Sequence, residues 1–109
     1  MKKIKVPKAV VYFSTECRGH IIDQSKEVFK DIRTWEALVP RLLNVVTELA
    51  KDTVSDFMCL DMLGNTTRVK ATNVDKVKSV IQNTLGTPFT LVGSSEKSNC
   101  LVRMTVLFK

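Results

Sequence analysis

A chain of 109 residues is the length of one domain and can bury a core without metal or disulfide staples. Its hydrophobic fraction of 44% and charged fraction of 26% exclude a disordered or low-complexity protein, and no apolar run reaches the ~18 residues of a membrane-crossing helix. The net charge of +6 is uneven: Lys2, Lys3, Lys5 and Lys8 open the chain, an acidic middle follows, and from Met62 onward seven basic groups face only Asp75 and Glu96. Such asymmetry points to an acidic partner, nucleic acid or the surface of another protein.

The opening "MKKIKVPKAVVYF" sets lysines before apolar residues as a secretory leader does. Lys5, Pro7 and Lys8 break the apolar run and no small-residue cleavage site follows, so a cytoplasmic protein is expected. The odd number of cysteines, Cys17, Cys59 and Cys100, at long spacings argues against a disulfide framework, and all three are expected reduced. Residues 4–14 form a strand whose centre, Ala9 to Phe13, carries successive apolar side chains and should be buried on both faces of a sheet.

"STECRGHIID" then reads as a loop after a central strand, a usual place for ligand contacts. Arg18 and His20, with Ser14, Thr15 and Gly19, have the donors to hold an anion. Cys17 and His20 would make a thiol–imidazole pair only if the loop folded back on itself, and a phosphatase-type loop would need arginine where Asp23 stands. Two ligands three residues apart do not make a zinc site. The plain alternative is a solvated connection.

Val28, Phe29, Ile32 and Trp35 recur at intervals of three and four, which predicts a helix through "KEVFKDIRTW" capped by Asp23 or Ser25. Pro40 fits the first position of a second, stronger helix to Asp52, with Leu42, Val45, Val46 and Leu49 as its buried stripe. Trp35, Leu38 and Val39 extend that stripe backwards, so one continuous helix is the alternative. Trp35 is expected in the core, or else as an interface anchor.

"DFMCLDMLGNTTRVKAT" is a hairpin of Phe57–Met62 and Thr67–Ala71 about Gly64-Asn65. Asn73 caps a helix with Val74, Val77, Val80, Ile81 and Leu85 on one face, ended by Gly86. "FTLV" and "CLVRMTVLF" make a second hairpin, with Cys100, Val102, Met104, Val106 and Phe108 alternating onto the core face. A long apolar last strand must be interior or pair with a second copy, and a homodimer is expected.

The order strand, helix, strand, strand, helix, strand, strand predicts one α+β domain over residues 1–109, a ferredoxin-like βαββαβ arrangement with an additional C-terminal antiparallel strand. One histidine, no triad, no paired carboxylates and no glycine-rich phosphate cradle leave catalysis poorly supplied, so neither a catalytic residue, a bound metal nor a cofactor is expected. Arg68 and Lys70 share a strand face, and Lys76 and Lys78 begin the next helix. With Arg18 and His20 they are the candidate contacts to a partner or to phosphates. The strand that carries Arg68 and Lys70 has no aromatics for base stacking, so nucleic-acid contact would be to the backbone. The expected function is that of a small non-enzymatic protein modulating a larger macromolecular partner through protein–protein contacts. A nucleic-acid-binding accessory protein comes second and a thiol-dependent enzyme third.

Overall fold

The computed structural model describes residues 8–30, 32–52, 54–95 and 99–108. Six strands and two helices run β1 (Ala9–Cys17), β2 (His20–Phe29), α1 (Trp35–Asp52), β3 (Asp56–Asp61), β4 (Thr66–Lys70), α2 (Val74–Gln82), β5 (Phe89–Ser94) and β6 (Cys100–Phe108). They form one open sheet of order β2-β1-β6-β5-β3-β4 in which every pair is antiparallel. The class is α+β as expected, but the order ββαββαββ is not ferredoxin-like.

The departure lies in "STECRGHIIDQSKEVF". The loop and helix expected there are a hairpin: β1 continues through Cys17, Arg18 and Gly19 turn the chain, and β2 returns along β1 to Phe29. Both turn residues hold left-handed backbone, φ 53° and 82°, the combination of a two-residue hairpin turn whose twist matches the flanking strands. The apolar spacing at Val28, Phe29, Ile32 and Trp35 was therefore not one helical face. Phe29 is buried opposite Ala9, Val28 pairs with Val10 on the other face, and Trp35 opens α1.

Helix α1 is the continuous alternative, with Pro40 inside rather than at its start. Thr34 begins it: its carbonyl accepts from the Leu38 amide at 3.1 Å and its hydroxyl from the Ala37 amide at 3.3 Å. Trp35, Leu38, Val39, Leu42 and Val46 are buried along one stripe, which offsets the single backbone bond Pro40 cannot make. The Leu49 side chain lies outside the described residues. Trp35 is a core residue: its indole N–H donates to the Gln82 carbonyl at 3.3 Å, and its ring meets Phe89 and Phe108 edge-on.

The β3–β4 hairpin is present, but its turn spans 62–65 instead of two residues. The Asp61 carboxylate organises it, accepting from the Leu63 and Asn65 amides at 2.9 Å each. Asn73 caps α2 by accepting from the Lys76 amide. That helix ends at Gln82, before Gly86, so Leu85 leaves the buried face and is exposed.

Both helices cover one face of the sheet. Val11, Phe57, Cys59, Leu91, Met104 and Val106 on that face share a core with Leu38, Leu42, Val46, Val77 and Ile81. Strand β6 alternates as expected, but it lies between β1 and β5 with both edges bonded. Pairing of two β6 edges, the expected route to a homodimer, is closed. The edges are β2, which carries Asp23, Lys26 and Glu27, and the short β4; charges and brevity are common protections of an edge.

Candidate functional site

The six candidate contact residues separate into three places. Arg18 and His20 stand exposed on the β1–β2 turn, beside the β2 edge. Arg68, Lys70 and Lys76 meet at the opposite edge, around a shallow concavity of about 360 Å3 shared with Asp56 and Asn73. Within it Lys70 Nζ lies 3.3 Å from an Asp56 carboxylate oxygen. Lys78 is not part of that patch; it borders a separate hollow of about 270 Å3 with Trp35, Glu36 and Leu85. Lys2, Lys3 and Lys5 lie outside the described residues.

The cysteines are not all reduced. Cys17 and Cys100 stand directly opposite in the β1–β6 register and form a disulfide, 83 residues apart in the chain. Sequence spacing hid the pair because the adjacency is created by placing β6 beside β1. The thiol–imidazole pairing considered for Cys17 and His20 is therefore not formed. Cys59 is free and buried under the helices; burial, with a smaller contribution from the Asp61 charge, pushes its thiol up to about 11. Among the described residues no group of three metal-ligating side chains is assembled.

Two broad concavities lie on the face of the sheet away from the helices. Strand alternation sends every second residue there, and register aligns them in rows: Gln24, Ser14, Arg103, Val92, Met58 and Arg68 in one, Lys26, Tyr12, Thr105, Thr90, Leu60 and Thr66 in the next. A shallow hollow of about 570 Å3 over β3, β5 and β6 is lined by Met58, Leu60, Met62, Val92, Leu101 and Leu107, with Arg103 and two threonines among them. A second of about 490 Å3 lies over β1, β2 and β6, with Tyr12, Ser14, Lys26 and again Arg103. The hydroxyls of Thr90 and Thr105 are 3.3 Å apart between them.

Of these residues Met58, Leu60 and Val92 were not singled out by sequence reasoning, although "DFMCLD" carries the signal. There Phe57 and Cys59 take the core face, which turns Met58 and Leu60 away from it. The exposed end of the β1–β2 hairpin adds Ile21 and Ile22, 59% and 63% exposed, at an irregularity in the pairing that leaves both beside Arg18 and His20. No helix among the described residues is long and apolar enough to cross a membrane. Comparison with protein-family models, with curated proteins and with solved structures finds no match.

Proposed function

We propose that the chain is a small non-enzymatic binding protein that modulates a larger protein partner docked on its open sheet face. One observation carries this reading: a six-stranded sheet has helices on one side only, and the other side is a broad, shallow surface with an apolar floor. Antiparallel sheets commonly leave one face to water, but that face is then polar. Here Met58, Leu60, Val92, Leu101 and Leu107 line it, interspersed with Thr90, Arg103 and Thr105, and predominantly apolar surface of that kind marks an interaction site. The hollow is shallow and open, the shape of a docking surface more than of a small-molecule cleft.

Affinity capture from the native host, with and without nuclease, tests the reading. Partner recovery should survive nuclease and fall about tenfold or more with Leu101→Asp, which puts a charge on an outward-facing position of the floor. The second reading, a nucleic-acid accessory protein, is favoured by Arg68, Lys70 and Lys76 converging and by Tyr12 facing outward beside Lys26. It predicts nucleic acid in the bound fraction, lost with salt and with Arg68→Ala plus Lys70→Ala. The Cys17–Cys100 bond supports work in an oxidising compartment and removes the argument from reduced thiols for the cytoplasm.

A further inference from the structure

Arg103 is the one charged side chain that borders both of the two broader hollows described on the open face. It stands on β6, an interior strand, flanked in its row by Ser14 and Val92. Its own strand places Leu101 and Thr105 on either side of it on the same face. It makes no ion pair or hydrogen bond among the described residues. An exposed arginine at a sheet margin needs no explanation, but this one is central, with apolar Val92 and Leu101 on two sides and only the hydroxyls of Ser14 and Thr105 on the other two. A surface covering it must supply an acceptor, because burying an unpaired guanidinium is costly.

The charges of the whole face narrow the occupant. Lys26, Arg68, Lys70 and Arg103 point outward, against Glu16, Asp56 and, at the rim of the larger hollow, Asp61; Asp56 is held by Lys70, and Asp61 accepts from the Leu63 and Asn65 amides. A second copy stacked on this face would bring one cationic surface against another. A nucleic-acid strand would set phosphates over Met58, Leu101 and Leu107, with Tyr12 as the one outward aromatic in the rows that could stack a base. A protein segment can combine both needs, an anion for Arg103 and apolar area for the floor.

We infer that the open face takes a protein segment in which a carboxylate is flanked by large apolar side chains, the carboxylate seated on Arg103 and a neighbour over Met58, Leu60 and Leu101. This rests on the protein-binding reading and adds the partner's chemistry to it. The planar guanidinium grips a carboxylate through two parallel hydrogen bonds. The thioether of Met58 gives the floor the adaptability to accept apolar side chains of different shape.

A displayed library of short random peptides, panned against the oxidised chain, tests it. The selected peptides should pair Asp or Glu with a large apolar residue. Their affinity should fall about tenfold to a hundredfold with Arg103→Ala, the worth of a charged hydrogen bond, while the melting temperature of this exposed-site variant stays unchanged. Arg103→Glu should abolish binding, and replacing the peptide's acid by lysine should restore it. Peptides lost with Met58→Asp yet indifferent to Arg103→Ala would overturn the carboxylate and leave the protein-binding reading standing. Peptides indifferent to both substitutions, or no enrichment, would overturn both. A species of twice 12.3 kDa in solution that Arg103→Glu dissociates would assign the face to a second copy, and tight binding of an oligouridylate lost with Arg103→Ala would assign it to nucleic acid. Either result also overturns the inference.

Discussion

Cys59 shows how a single side chain couples core packing to solution conditions. It is a small apolar filler on the helix-covered face of β3, and burial raises its thiol from its ordinary value of 9.0 to about 11. Between those values the unfolded chain releases the proton and the folded chain keeps it. The contribution is fully present below pH 9.0, declines above it, and is lost once pH passes about 11. A shift of that size corresponds to roughly 2–3 kcal/mol across the window. Denaturant titrations should therefore show wild-type stability falling faster than that of Cys59→Ala as pH rises from 9 to 11. Parallel curves for the two proteins would show that the site does not set the slope. In the native state at neutral pH the same thiol should resist alkylation, since it is neither exposed nor ionised.

Among the elements, β5 has one position of close backbone approach. Gly93 lies in its row opposite Phe57, and a Cβ built there meets the Phe57 ring and a Val54 methyl at 3.0 Å. The tightness is steric, not conformational, so Gly93→Ala should lower stability by about 1–3 kcal/mol through overpacking. Combining it with Val54→Ala, which vacates one of the two contacts, should cost less than the sum of the single changes, measured as a double-mutant cycle. The elements also differ in how far the sequence revealed them. Strands β3 to β6 and helix α2 were legible because alternation or a three-to-four spacing is bounded by turn residues, as with Asn73 and Gly64. Strand β2 was not, because its exposed stretch from His20 to Glu27 has no inward apolar set to alternate with, and its turn places arginine where asparagine or glycine usually signals left-handed backbone. Arg68, Lys70 and Lys76 border one concavity because they sit on consecutive elements. Lys78, not separated from them in the sequence, lies elsewhere because a helix turns a residue two positions on to another side. Arg103 could be read as outward from the strand pattern, but its central position depends on β6 joining β1, which no local pattern encodes.

At the scale of the whole molecule the Cys17–Cys100 bond ties the far end of the β1–β2 hairpin to the start of β6. Closing a loop of 83 residues restricts the unfolded chain, and removing such a bond costs about 2–4 kcal/mol. Cys17→Ser with Cys100→Ser should accordingly lower Tm by about 10 °C or more in a calorimeter, since a domain of this size shifts several degrees per kcal/mol. Thiol titration of the unreduced, denatured wild type should find a single reactive group, Cys59. The sheet order carries a consequence for how such a chain comes into being. Before β6 exists, β1 pairs only with β2, while β5, β3 and β4 form a separate ribbon that shares no strand with them. Strand β6 bonds to both groups at once, along nine residue pairs of β1 and six of β5. During synthesis from the ribosome residues 100–108 are the last of the described strands to emerge, so the single sheet cannot be completed before they do.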